Sequence, residues 1–355
     1  MTRLLVLEGD GIGPEIVAAT CEVLAVLDSR FNLGLTVERA EIGFPALAAH
    51  GTTIPDAVIA RAMAADGVIL GPVSHNAYPP VSEGGLNPSG VLRKRLDLYA
   101  NIRPARTPEG LGGRAPVDLV VVRENTEGFY ADRNMAEGSG EFLPEPGMAL
   151  AIRKITAKAS RRIAQSAFAL AETRPARRVT VVHKANVLRL SDGLFLDEVR
   201  KVAADHPEIT MDEMLVDAAA AHLVRAPERF DVIVTTNMFG DILSDLASEL
   251  AGSLGLGGSL NAGETRAMAQ AQHGSAPDIA GTGAANPGSL IASVAMLLHW
   301  LAGRGGADSF ARAGAATDAA LAVALADPAA RTPDIGGTGT TRAMTDRVIQ
   351  ALGSD

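Results

Sequence analysis

Short runs of valine, isoleucine and leucine alternate with longer alanine-rich stretches along almost the whole chain, and this alternation restricts the fold more than any other feature. Residues 4–7, 67–70, 119–122, 179–182 and 232–235 are apolar throughout or nearly so, the pattern of strands buried on both faces. Between them, 16–27, 54–64, 157–172 and 194–204 space their apolar residues as helices do. Strand–helix alternation of this kind predicts an α/β architecture, helices covering a largely parallel sheet. At 355 residues the chain is long for one core and comfortable for two lobes. Two stretches break the rhythm. Residues 131–147, with Gly138, Gly140, Pro144, Pro146 and Gly147, predict a projecting loop or β-arm, and the glycine-rich 252–263 predicts a connector between lobes.

Composition removes several classes of function. Aromatic residues make up 4% of the chain and the formal charge is −9, so stacking platforms for bases are scarce and a phosphate backbone is repelled: no nucleic acid is expected. Cys21 is the only cysteine, which rules out an intrachain disulfide. The opening apolar run turns acidic at once, the mark of a buried strand and not of a signal peptide. The most apolar later stretch, 289–301, is too short to span a bilayer and carries His299. The expectation is a cytoplasmic protein without membrane contact.

Five segments carry chemistry. Gly9-Asp10-Gly11-Ile12-Gly13-Pro14-Glu15 follows a strand and opens a helix, but the spacing is not the full dinucleotide fingerprint, so a tight turn is the simpler reading. Arg93, Arg103 and Arg123 form a set whose guanidinium forks suit carboxylates; surface ion pairing is the alternative. Asp241 and Asp245 fall at i and i+4 after an apolar strand, which puts both carboxylates on one helix face. Like charges so placed repel unless a cation separates them, and oxygen donors suit Mg²⁺ or Mn²⁺; decoration of a helix N-terminus is the alternative. Asp217 adds a third acid after another apolar segment. Lys184, at the end of the strand before Asn186, suits a base if it loses its proton readily, and otherwise a surface lysine; His183 beside it fits a structural role. Finally, His273-Gly274-Ser275-Ala276-Pro277-Asp278-Ile279, with Asn286 further on, is a small-residue loop that admits a flat ligand to backbone amides.

Taken in order, these segments resemble the isocitrate/isopropylmalate dehydrogenase family, the metal-dependent β-decarboxylating dehydrogenases, from Gly9 to Gly337. The resemblance implies a two-lobed fold that is not a true Rossmann fold, with the active site in the interdomain cleft. One lobe would join 1–98 to 252–355; the other, 99–251, would hold substrate, metal and a dimer arm near 131–150. Arg93, Arg103 and Arg123 would clamp the malate carboxylates, Tyr130 would donate a proton and Lys184 would be the general base. Asp217, Asp241 and Asp245 would bind Mg²⁺ or Mn²⁺. Lys184 and Asp217 would serve the neighbouring subunit's site, which requires a homodimer. His273, Gly274, Ser275, Ala276, Pro277, Asp278, Ile279 and Asn286 would hold the adenosine of NAD, together with Asn186; Asp278-Ile279 resembles the NAD-type version.

Two departures from the family pattern matter. Gln270 stands where many relatives of the isopropylmalate type have a glutamate near the cofactor ribose, so the resemblance implies an altered cofactor contact. The specificity segment Leu86-Asn87-Pro88-Ser89-Gly90 lacks the bulky apolar pair expected around an isopropyl group. Asn87 and Ser89 are small polar groups, and they favour a polar or short substituent at C3, as in isocitrate, homoisocitrate, tartrate or D-malate. The alternative within the family is the 3-isopropylmalate dehydrogenase of leucine biosynthesis. A non-catalytic regulatory subunit of the same fold is a remoter one. A metal-dependent dehydrogenase of a phosphorylated hydroxy-amino acid is another, and it would require histidine metal ligands.

Overall fold

The computed structural model describes residues 2–111, 116–130, 135 and 138–353. The chain forms two compact units, one of Met1–Leu96, Pro108–Gly112 and Gly252–Asp355, the other of Asp97–Thr107 and Gly113–Ala251. The first boundary falls just before Asp97, not after residue 98. Asp97 is paired with Arg162, and the Leu98 carbonyl accepts from Asn125 Nδ2 at 2.9 Å, so both residues are tied to the second unit.

In the first unit the strands run in the order Leu35–Ala40, Thr2–Leu7, Gly67–Leu70, Ala267–Gln270, Leu260–Ala262. All neighbours are parallel except the last pair. Leu4, Leu5, Val6 and Leu7 are all buried, as expected of a strand covered on both faces, whereas Leu35–Ala40 is partly to fully exposed and mixes polar with apolar residues. The expected connector at 252–263 is partly ordered: its end is the strand Leu260–Ala262, because Asn261 and its neighbours pair with Ala267–Gln270.

The turn Gly9–Gly13 leads into the helix Gly13–Phe31. Gly11 has φ +57°, and a Cβ there would lie 2.0 Å from the Ser275 carbonyl oxygen, so only glycine fits. Ile12 N–H donates to that same carbonyl at 2.8 Å. Asp10, buried between these glycines, accepts from the backbone N–H of Phe44 and Ser74 at 2.9 Å each and from the Tyr78 hydroxyl. The motif is a structural junction that fixes the loop around Ser275.

In the second unit the order is Ala100–Arg106, Asp118–Glu124, Val232–Thr235, Arg178–His183, Thr210–Leu215, parallel apart from the first pair. Alternate residues of each strand serve opposite faces. Val120, Val122, Val179, Val181, Val232 and Val234 pack on Phe168 and Phe195 of the helices Ala157–Glu172 and Ser191–Ala204. Val121, Val182 and Ile233 face Leu223, Leu243 and Ala247 instead. The helices Val216–Arg225 and Asn237–Ala251 are therefore amphipathic elements laid on the apolar residues of this sheet face.

Within the expected arm, Glu141–Glu145 and Met148–Ala151 form an antiparallel hairpin exposed along its whole length. Residues 131–134, 136 and 137 of that arm lie outside the described residues. No helix among the described residues is long and apolar enough to cross a membrane.

Candidate functional site

In the second unit, the helix Asn237–Ala251 starts directly after the buried strand Val232–Thr235. Gly240 lets it approach closely: a Cβ there would fall 2.6 Å from Cβ of Arg123. Asp241 and Asp245 then stand one turn apart on the face that meets the arginines. Arg103 and Arg123 are both buried. Arg103 Nη1 donates to Asp245 Oδ1 at 2.9 Å, to Ser244 Oγ at 2.9 Å and to Asp241 Oδ1 at 3.3 Å, while its Nε donates to Asn101 Oδ1 at 2.7 Å. Arg123 donates through Nε to Asn237 Oδ1 at 2.9 Å and through Nη1 to Asp241. Tyr130 donates its hydroxyl to the other oxygen of Asp241, with the Arg123 guanidinium 5.1 Å from its ring centroid. Burial and the charge of Arg123 lower the pKa of Arg103 to about 10, so it remains cationic at neutral pH.

This geometry passes a simple test for a divalent ion. Two carboxylates a turn apart already bracket one positively charged atom, Arg103 Nη1, and both side chains keep part of their surface exposed, 36% for Asp241 and 47% for Asp245. Oxygen donors of this kind suit a hard cation. Asp217 is not with them. It sits in the first turn of Val216–Arg225 and pairs with Lys184, whose Nζ lies 2.6 Å from Asp217 Oδ1. That lysine holds the Asp217 carboxyl below its ordinary pKa. Within one chain, three expected aspartates thus fall into two places, Asp241 with Asp245 and Asp217 with Lys184. Among the described residues, the one triplet whose possible metal-ligand atoms all lie within 4.8 Å of one another is Glu172, His206 and Glu208, elsewhere on this unit.

Lys184 is anchored from below. Its backbone N–H donates to Asp192 Oδ2 at 2.6 Å, and Asp192, fully buried, pairs with Arg153 at 2.6 Å. Arg153 also lies over the rings of Phe129 and Phe239, each 5.6 Å away, and reaches Thr236 Oγ1 at 3.1 Å. The Arg153–Asp192 pair therefore braces the segments that carry Lys184, Tyr130 and Asp241. Sequence reasoning missed it, because its members are far apart in the chain and neither lies in a motif. Asn186, two residues past Lys184, is exposed, and burial lowers the pKa of His183.

Glu124 and Glu127 shape the loop that delivers Tyr130. Glu124 accepts from the backbone N–H of Thr126 and Glu127, and Glu127 from Thr156 N and Oγ1. Burial, with the charge of Glu124 added, pushes the Glu127 carboxyl up to about 7. A carboxyl raised in the folded state favours folding below its unfolded pKa, near 4.5, and loses that advantage as pH climbs through about 7. Glu127→Gln should therefore melt progressively later than the parent as pH is raised from 5 to 8. Melting curves over that range check this, and a constant difference contradicts it.

The first unit carries the other expected residues. Asn87 caps the helix Pro88–Arg95, accepting from Gly90 N at 3.2 Å, which commits its oxygen to structure. Ser89 and Arg93 are buried on that helix, and both donate to Gln270 Oε1 at 3.0 Å. In the loop after Gln270, His273 Nε2 is buried without a hydrogen-bond partner, and burial lowers the ring's pKa. Gly274 has open space where a side chain would stand, Ala276 takes a left-handed φ of 35°, and Pro277–Ile279 is a short 3-10 turn with Asp278 exposed. Ser275 is bound to Ser74 Oγ at 2.7 Å. Asn286 donates to Asp334 at 2.9 Å and accepts from Gly288 N, so its amide is already used. An orphaned imidazole nitrogen, an open glycine and an exposed carboxylate fit an adenosine: acceptors and donors for the base, and an acid for the ribose diol.

The second unit of this α/β fold thus gathers a carboxylate pair, two buried guanidinium groups and a phenol against one helix face. Comparison with known proteins specifies it further. Residues 3–350 match the family model described as isocitrate/isopropylmalate dehydrogenase. The chain is 43% identical to the isocitrate/homoisocitrate dehydrogenase of Thermus thermophilus, over 99% of both chains. It is 40% identical to the 3-isopropylmalate dehydrogenase of Saccharolobus solfataricus, again over 99% of both. A crystal structure of the isocitrate dehydrogenase from Methylococcus capsulatus superposes with a TM-score of 0.88 at 37% identity, covering 99% of each chain. The chain belongs to the isocitrate/isopropylmalate dehydrogenase family and is an enzyme of the metal-dependent, nicotinamide-using kind.

Proposed function

We propose that this enzyme oxidises and decarboxylates a 3-substituted malate with NAD, assisted by Mg²⁺ or Mn²⁺, as a homodimer in the cytoplasm. The observation that carries the reading is the convergence of Arg103, Arg123 and Tyr130 on Asp241, with Asp245 one turn away. Arg103 and Arg123, with Arg93, hold the substrate carboxylates by paired N–H donors. Lys184 of the partner subunit takes the proton of the C2 hydroxyl as C2 is oxidised; NAD, when bound, would supply the hydride acceptor. The C3–carboxyl bond then breaks, CO₂ departs, and Tyr130 supplies the proton that C3 gains. Asp241 and Asp245, with Asp217 of the partner subunit, would hold the divalent ion, which would supply positive charge to the substrate when bound.

Exposed Asp278 favours NAD over NADP, since a carboxylate accepts the ribose diol and repels a 2′-phosphate. The small polar Asn87 and Ser89 favour a polar or short substituent at C3. The test is a steady-state panel of isocitrate, homoisocitrate, tartrate, D-malate and 3-isopropylmalate with NAD and with NADP, each with and without Mn²⁺. Metal-dependent NADH formation with one of the first four is the expected result. Turnover of 3-isopropylmalate far above the rest overturns the substrate reading, and no nucleotide reduction with any of them overturns the function.

A further inference from the structure

Asn237, the first residue of the helix Asn237–Ala251, is fully buried inside the second unit. Its Oδ1 accepts from Arg123 Nε at 2.9 Å, and its Nδ2 donates to the Glu127 carbonyl at 2.8 Å. A guanidinium can only donate and a carbonyl can only accept, so an amide between them has one orientation. Arg103 has a matching anchor: its Nε donates to Asn101 Oδ1 at 2.7 Å, and Asn101 is also fully buried. At Arg123 the anchor reaches further. Glu127 belongs to the turn that delivers Tyr130, and the next residue, Gly128, pairs with Lys154 through both backbone groups, at 2.9 Å and 3.1 Å. The turn is thus gripped by Lys154 at one residue and by Asn237 at the residue before. At its end the Tyr130 ring centroid lies 5.1 Å from the Arg123 guanidinium, and the hydroxyl donates to Asp241.

We propose that Asn237 is a positioning residue for the reaction: one amide sets both the Arg123 guanidinium and the turn of Tyr130, and so fixes the carboxylate clamp relative to the proton donor. This rests on the malate reading above and deepens it. Asn237 has no exposed surface, so it acts through these two neighbours and not on the substrate. Arg123 Nε and the Glu127 carbonyl would both lose their partner if the amide were removed, and a buried polar group without a partner moves to find another. A shift of an ångström in a reacting group costs about a hundredfold in rate.

The experiment compares the parent with Asn237→Asp and Asn237→Ala. Aspartate keeps an acceptor for Arg123 Nε but sets a carboxylate oxygen against the Glu127 carbonyl, whereas alanine removes both bonds. Two quantities are read with Mg²⁺ and without nucleotide. One is the calorimetric affinity for the best malate of the panel, which reports on Arg123. The other is the exchange of the C3 hydrogen of its 2-oxo product in D₂O, the proton step assigned to Tyr130 run without hydride transfer. Asn237→Asp should slow exchange by about a hundredfold while affinity falls by less than about tenfold; Asn237→Ala should lose about tenfold or more in both. In Asn237→Asp, losses of exchange and affinity that match within a factor of about two, absence of either loss included, overturn the proposal, since a merely loosened fold moves both alike. Should Asn237→Ala fail to fold, Asn237→Asp alone decides. A parent that neither binds any malate of the panel nor exchanges a product defeats the functional reading instead, so the two failures are told apart.

Discussion

Asp241→Asn should abolish metal-dependent turnover, with a loss of about a thousandfold, and should also lower the melting temperature of the metal-free protein. The two effects have one origin. Asp241 meets Arg103, Arg123 and Tyr130 together, and both arginines are buried. Asparagine keeps one acceptor but aims an N–H₂ at a partner that is itself a donor, and removes the charge that the guanidinium groups share. Leaving a fully buried ion pair half-empty costs about 3–5 kcal/mol. Asp241 is 36% exposed, so solvent screening reduces the expected cost to about 1–3 kcal/mol. Two measurements test the prediction: NADH formation over a Mn²⁺ titration, and thermal melting with and without Mn²⁺. The parent should gain stability from the ion and the variant should not. A variant that keeps a tenth of the parental rate, or still melts later with Mn²⁺, removes Asp241 from the metal site.

The arrangement around Asp241 was largely legible in the sequence, since an i, i+4 acid pair behind an apolar strand has one geometric consequence. The buried strands 67–70 and 232–235 were legible for the same reason: a strand covered on both faces is apolar throughout. Leu35–Ala40 was not, because it is the edge strand of its sheet and none of its six side chains, three of them polar, is buried. Leu260–Ala262 was hidden by the glycines before it, although its residues are fully buried. The functions of small polar residues were the least readable. Asn87 and Asn286 stand in motifs, yet their amides also cap or brace helix starts, a choice that depends on partners distant in sequence. Asp10 carried a signal that could have been read: an acid between glycines at a strand end is well placed to gather backbone N–H groups. The Arg153–Asp192 pair carried none.

Lys184→Ala should reduce kcat by about 10²–10⁴-fold while leaving NAD affinity and thermal stability nearly intact. The backbone at this position is held by Asp192 through the Lys184 N–H, and Asp192 by Arg153, so losing the side chain does not free the strand end. The ion pair with Asp217 lies toward solvent and adds little to folding. On the proposed mechanism, what the substitution removes is the base. If Lys184 and Asp217 act in the site of the neighbouring subunit, a second experiment follows. Mixing Lys184→Ala chains with Asp241→Asn chains and letting subunits exchange should restore activity. Half of the dimers are then mixed, and in each mixed dimer one of the two sites is assembled from unaltered contributions, so the regained rate is about a quarter of the parent's. Both variants are inactive alone, and no rearrangement within a single chain produces this recovery. Strong residual NADH formation by Lys184→Ala contradicts its role as base, and an inactive mixture with proven subunit exchange places Lys184 and Asp241 in the same subunit's site.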